Sequence, residues 1–221
     1  HLAQVEAVEP LRAMVHRGDR LLALHALGAL VQVDPAVAAH ELAPELILGR
    51  DWQPREVVSV LFEARAACAP VLCALLPGTQ QENLPRLLQV MEGLRVMPPA
   101  AQLAALLDAG AAVHAEVRIA ALRCVNDPAL RAQVLGLLHH PDWRVRMQAA
   151  KALGRVGRPG DEEALAALLS DPEWWVRYRS AQVLSTLPFL DRAQLDRIAH
   201  RNTDRFAADI LRQVGAEKEL A

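Results

Sequence analysis

Residues 137–184 read LLHHPDWRVRMQAAKALGRVGRPGDEEALAALLSDPEWWVRYRSAQVL, which is nearly one unit written twice. A slide of 31 residues lays Leu137, Leu138, Pro141, Trp143, Val145, Arg146, Ala150 and Leu153 on Leu168, Leu169, Pro172, Trp174, Val176, Arg177, Ala181 and Leu184. A period of that length without a strand signal marks a solenoid of helix pairs. Within the first copy, Val145, Ala149, Ala152 and Val156 recur at three or four residues and form one apolar stripe. The small Ala149 and Ala152 let a partner helix approach closely.

The unit extends outward through the arginine of its Val-Arg pair. Arg55, Arg86, Arg118, Arg146 and Arg177 follow one another at 31, 32, 28 and 31 residues. Pro54 and Pro85 stand directly before two of them, and proline suits the first turn of a helix, where its missing N–H costs nothing. Each marker therefore opens the first helix of a pair. The expected pairs are 54–67 with 70–76, 84–96 with 99–108, 115–125 with 128–139, 143–156 with 161–169, and 173–187 with 191–200. Gly157, Pro159 and Gly160 force the turn inside the fourth. Phe206, Leu211 and Val214 repeat Val176, Ala181 and Leu184 at a shift of 30, which makes 204–214 a capping helix. Before residue 50 the pattern loosens into a helix over 5–15, a second over 19–31 opened by Asp19, and a third over 35–47, bent or broken at Pro44. Terminal repeats are expected to be atypical, because one face has no neighbour to cover it.

The expectation is thus one domain over 1–221: a degenerate N-terminal cap and repeat over 1–50, five regular repeats over 51–201 and a C-terminal capping helix over 202–221. The fold class is all-α, a right-handed solenoid of about six helix pairs. The pattern of apolar pair, Pro, Val-Arg, Ala and Leu at helical spacing and then Gly resembles the HEAT repeat in the short bacterial form shared with phycobilisome lyases. That resemblance implies a binding scaffold, with the repeat arginine and a loop aspartate forming an internal ladder. Here the ladder is Arg55, Arg86, Arg118, Arg146 and Arg177, with Asp142 and Asp171 as acceptors. Arginine fits the task because its planar fork bonds two acceptors at once. The competing reading of the same row is an anion-binding surface.

Composition narrows the function. Hydrophobic residues make up 52% but aromatic ones only 4%, so the core is built of Ala, Leu and Val, which suits close helix packing. The net charge of -2 argues against a nucleic-acid partner. Arginine outnumbers lysine so heavily (only Lys151 and Lys218 occur) that a GC-rich bacterial genome is the expected source. Cys68, Cys73 and Cys124 form no C-x-x-C pair and no complete disulfide set, which points to a reducing, cytoplasmic setting. The apolar run over 66–77 falls far short of the roughly 20 residues of a membrane span. Because the sequence starts at His1 rather than Met, it is expected to be a fragment, and an upstream leader or membrane anchor stays open.

The aromatic residues are the candidate site. Trp52, Trp143 and Trp174 each precede a marker arginine by three residues, and Trp175 and Tyr178 thicken the row on the fifth pair. One reading has these rings plugging the gaps between repeats; the other makes them a contact ridge. Trp174 and Trp175 are adjacent in a helix, so both cannot point inward. Trp174 is expected in the seam and Trp175 outside, with Tyr178 near both and Arg144 and Arg179 at the flanks. Trp143, Arg144, Trp174, Trp175, Tyr178 and Arg179 are therefore the candidate partner-binding residues. No motif implies a cofactor or catalytic set: His139-His140 lacks companions at metal spacing, and Asp161-Glu162-Glu163 reads as acids complementing a helix dipole. A non-catalytic scaffold for a protein or peptide is the leading function. The alternatives implied by the resemblance are an alkylated-base DNA glycosylase, a bilin lyase, or the cytoplasmic part of a membrane-anchored repeat protein.

Overall fold

Local sequence chemistry sets each helix. In the computed structural model, residues 2–17, 19–42, 52–108, 110, 112–201, 209–211 and 213–214 are described. They are all-α, with no strand among them. The helices are α1 (Leu2–Arg17), α2 (Arg20–Val33), α3 (Pro35–Val37, running into a π turn over Ala38–Leu42), α4 (Pro54–Leu61), α5 (Arg65–Leu75), α6 (Leu84–Gly93) and α7 (Ala100–Leu107). They continue with α8 (Ala115–Arg123), α9 (Arg131–Leu137), α10 (Trp143–Val156), α11 (Glu162–Ala167), α12 (Trp174–Thr186) and α13 (Arg192–Arg201). Residues 209–211 and 213–214 are helical; the rest of the expected cap over 202–221 and the break at Pro44 lie outside the described residues.

Two compact units divide the chain, residues 1–102 and 103–221. In the first, α1 packs on α2, α2 on α4, α4 on α6 and α5 on α6. Asp19 caps α2 as its position predicts, accepting from the Leu22 N–H at 2.8 Å. Two boundaries differ from the sequence reading. The first helix of the 54–67 pair stops at Leu61, and Pro70 lies inside α5 rather than before it. The carbonyl that Pro70 leaves without a helical donor belongs to Ala66, an exposed residue. The helix expected to reach residue 96 ends at Gly93, where Arg95 turns left-handed at φ 57° and the Val96 N–H closes on the Met91 carbonyl at 2.8 Å.

The second unit stacks its first helices in chain order: α8 packs on α10 and α10 on α12, while α9 lies on α10 and α11 on α12. The stripe of Val145, Ala149, Ala152 and Val156 is wholly buried along α10, and Val176, Ala181, Val183 and Leu184 are buried along α12, the helix it packs on. Gly154 sets the closeness of that approach, since a Cβ there would stand 2.9 Å from Val183 Cγ1. Beyond α10, Gly157 N–H closes on the Leu153 carbonyl at 2.7 Å, and Gly160 takes φ 103°, which only glycine adopts freely. Among the described residues no helix is long and apolar enough to cross a membrane.

Candidate functional site

A row of arginines crosses the second unit. Arg146, near the start of α10, gives Nη1 to its own loop carbonyls, His140 at 2.9 Å and Pro141 at 3.0 Å. The other edge of its guanidinium grips Asp171 of the next loop, Nε to Oδ2 at 2.7 Å and Nη2 to Oδ1 at 2.8 Å. The pair is sheltered, with the side chains 13% and 5% exposed, and Asp171 raises the basicity of Arg146 further. Asp171 also accepts from the Glu173 N–H at 2.9 Å, at the start of α12. Arg177 repeats the first half of this arrangement, its Nη1 reaching the Asp171 carbonyl at 2.7 Å and the Pro172 carbonyl at 3.1 Å.

One repeat earlier the chemistry changes. Arg118 donates to the Asp108 carbonyl at 2.7 Å, and its Nη1 stands 2.9 Å from His140 Nε2. Asp142, expected as the acceptor there, instead caps α10 through the Arg144 N–H at 2.8 Å and holds the Arg144 guanidinium at 2.7 and 3.2 Å. The reason lies in the 31-residue slide, which lays His140, not Asp142, on Asp171. His140 meets a second donor, the Asp142 N–H, at Nδ1 and 3.1 Å. A neutral imidazole has one acceptor nitrogen and an imidazolium none, so protonation would leave both donors facing N–H groups. Burial and the Arg118 charge hold the His140 pKa below its ordinary 6.5. In the first unit Arg86 donates to the Trp52 carbonyl, while Arg55 is exposed.

Three further cross-repeat contacts involve arginines outside the Val-Arg row or without its spacing. Arg131 of α9 clasps Asp161 with both edges of its fork, Nε to Oδ2 at 2.7 Å and Nη2 to Oδ1, and Asp161 is 3% exposed. The hydrogen bond from Arg131, with the Arg158 N–H, holds the Asp161 carboxyl below the usual aspartate range. Asp161 is thus more than a dipole-complementing acid. Arg155 at the end of α10 donates to the carbonyls of Val125, just beyond α8, and Leu122, in its last turn, at 2.7 and 2.6 Å, satisfying helix-end acceptors. Arg144 reaches Glu116 of α8 at 2.5 Å.

The tryptophans diverge although their sequence register is shared. Trp52 is 1% exposed, because Gln53 caps α4 and Pro54 starts it, leaving Trp52 ahead of the helix and folded inward. Trp143 and Trp174 are instead the first residues of α10 and α12. Trp143 is half-buried. Trp174 is 43% exposed rather than sealed in a seam, and Trp175 is 55% exposed. Trp174 stacks on Tyr178 at 5.0 Å between centroids with 11° between planes, and takes Trp175 edge-on at 4.8 Å. Such ring pairs each contribute about 0.5–1.5 kcal/mol beyond area burial. The cluster is preformed. Of the flanking cations, Arg144 is engaged by Asp142 and Glu116, and Arg179 donates to Gln182 Oε1 at 2.9 Å.

Candidates for chemistry are sparse. Among the described residues no group of three or more His, Cys, Asp or Glu side chains is placed to hold a metal ion. Burial pushes the Cys68 thiol up to about 11, so it carries almost no thiolate at neutral pH.

The family model for HEAT repeats matches residues 100–185, the stretch holding α7 to α12. A search of curated proteins returns no match. Among solved structures, the chain is similar to the crystal structure of an engineered protein, at 15% identity and a TM-score of 0.49, over 95% of this chain and 96% of that one.

Proposed function

We propose, from the match of residues 100–185 to the family model for HEAT repeats, that the chain is a non-catalytic scaffold that holds a protein or peptide partner on the exposed side of its second unit. HEAT repeats generally mediate protein–protein interaction. The observation that carries the reading is the cluster at the start of α12, in which the exposed Trp174 takes the exposed Trp175 edge-on and stacks on the half-buried Tyr178. Large exposed aromatic rings are costly in water and are the commonest centres of protein interfaces. Trp175, the most exposed of them, is the expected anchor, with Trp143, Arg144 and Arg179 at the periphery.

The test compares proteins captured from a lysate of the source cell by the wild-type chain and by Trp175→Ala. The substitution should leave the melting temperature within about 2 °C, as expected of a surface change, and should deplete a defined partner. Undiminished capture by Trp175→Ala, Trp174→Ala and Tyr178→Ala alike would remove the cluster from the interface.

A further inference from the structure

Along the loop edge of the second unit the marker arginines form one chain of bonds. Arg118 takes the Asp108 carbonyl with one nitrogen and faces the His140 ring with another. The His140 carbonyl accepts from Arg146, which grips the Asp171 carboxylate, and the Asp171 carbonyl accepts from Arg177. Residues 140 and 171 thus play the same part, side chain to the marker behind and carbonyl to the marker ahead. Their chemistry differs. A carboxylate accepts from both edges of a guanidinium, whereas an imidazole accepts at one nitrogen and, once protonated, at none. Aspartate and histidine side chains also ordinarily titrate about two and a half units apart, so an imidazole rung takes up its proton where a carboxylate rung keeps its charge.

A proton on this ring sets two like charges together. Arg118 is 5% exposed and its Nη1 stands 2.9 Å from His140 Nε2, so an imidazolium there meets a sheltered cation and a donor aimed at its own N–H. The ring has a way out to water. It is half-buried and lines an open cleft of about 390 Å³ against the 168–172 loop, together with His139, Pro141 and Pro172. The charges that act on the ring are Arg118 of α8 and Asp142 and Arg146 of the α10 start; burial first, and then Arg118, hold its pKa below 6.5. The same surroundings carry Asp108 at the end of α7, His114 and Glu116 at the start of α8, His139, Arg144 and, in the next loop, Asp171. The carboxylates among them are engaged: Asp142 and Glu116 by Arg144, Asp171 by Arg146, and Asp108 by the Gly110 N–H.

We infer that His140 is an acid-sensitive latch: a proton on its ring releases Arg118 and opens the loop edge where the third helix pair meets the fourth, while the next rung, at Asp171, stays closed. Proton uptake and release are one event, because the ring takes a proton readily only away from the guanidinium. The other contacts across that junction contain no imidazole: Arg131 on Asp161, Arg144 on Glu116, and Arg155 on the Leu122 and Val125 carbonyls. They hold the pairs together while the loop edge opens.

The test is amide hydrogen exchange of the full chain at pH 7.5 and 5.5, read as protection factors so that the intrinsic pH dependence of exchange cancels. The Asp142 N–H bonds the ring itself, and the Val145 and Arg146 N–H groups bond the Asp142 carbonyl; Glu173, Val176 and Arg177 repeat these bonds at the next rung. Protection of the first three amides should fall about tenfold or more at the lower pH, the scale of one lost bond to a charged group, and that of the second three by less than about threefold. His140→Asp installs the acceptor found one repeat later and should keep the loop closed at both pH values. His140→Gln takes no proton and should show protection that is the same at both, so either variant suffices if the other fails to fold. An equal fall at the two rungs overturns the inference, as a general effect of acid. A fall at 142–146 that persists in His140→Asp or His140→Gln overturns it too, and so does steady protection of these amides in wild type.

Discussion

Replacing Arg146 by Ala tests whether the arginine row is structural. The wild-type guanidinium bridges two loops, with bonds of 2.7 and 2.8 Å to the Asp171 carboxylate and 2.9 and 3.0 Å to the His140 and Pro141 carbonyls. Removing one partner of a buried ion pair typically costs about 3–5 kcal/mol, mostly by stranding the other charge. Asp171 retains the Glu173 N–H, so the lower end, about 3 kcal/mol, applies here. Arg177→Ala is the internal control, because it removes only contacts to the Asp171 and Pro172 carbonyls and should cost about 1–2 kcal/mol. Adding Asp171→Ala to Arg146→Ala should cost less than the two single losses summed, since no carboxylate is then left unpaired. Urea unfolding followed by helical circular dichroism measures all four proteins. Arg146→Ala costing no more than Arg177→Ala would refute the load attributed to the bidentate pair. Full stability with lost partner capture would make the row a ligand site instead.

Other perturbations probe other links. His140 has a folded pKa below 6.5, so the unfolded chain binds the proton more readily; the stability it contributes is complete above pH 6.5 and is lost as pH falls through 6.5 towards the folded value. Urea midpoints at pH 7.5 and 5.5 should therefore fall less for His140→Gln than for wild type, and an equal fall would refute the two-donor account of the ring. Gly154→Ala sets a helix gain of about 1 kcal/mol against a Cβ 2.9 Å from Val183 Cγ1. It should lose stability in wild type yet gain it beside Val183→Ala, a coupling of about 1–2 kcal/mol, and additive effects would show that the helices are not in that contact. Arg95→Gly should stabilise by about 0.5–1 kcal/mol, because glycine adopts the left-handed turn after α6 without strain; a loss would mean that the Arg95 side chain carries more than its backbone does.

Periodicity made the second unit legible because each helix there is bounded by the residues that set the period. Asp142 caps α10, Gly157 and Gly160 end it, and the Val145-to-Val156 stripe is buried as its spacing demands. The first unit was legible in helix type and less so in boundaries. Proline favours a helix start, yet Pro70 lies inside α5, where the carbonyl it leaves without a helical donor belongs to the exposed residue Ala66. The glycine at the end of α6, Gly93, is not the residue that turns left-handed; Arg95 takes that position, which glycine ordinarily fills.

The site residues were harder, and the reason is specific. Register in a repeat fixes which residues are neighbours in the stack, so a position should be compared with the same position one repeat away. Glu116 and Arg144 both stand two residues before a marker arginine, and they pair. Arg131 and Asp161, 13 and 15 residues after their markers Arg118 and Arg146, pair across neighbouring repeats two residues out of strict register. Searching for one conserved-looking residue type per position, as the arginine row invites, misses both, because the contact arises where the charge changes sign between repeats. Applied once more, the rule explains the aromatic cluster. Trp175 follows Glu116 and Arg144 in that same column, with an uncharged indole where another charge would continue the pairing. A column that runs acid, base, indole has no ion pair to offer at its last place, and there the ring stands open to solvent.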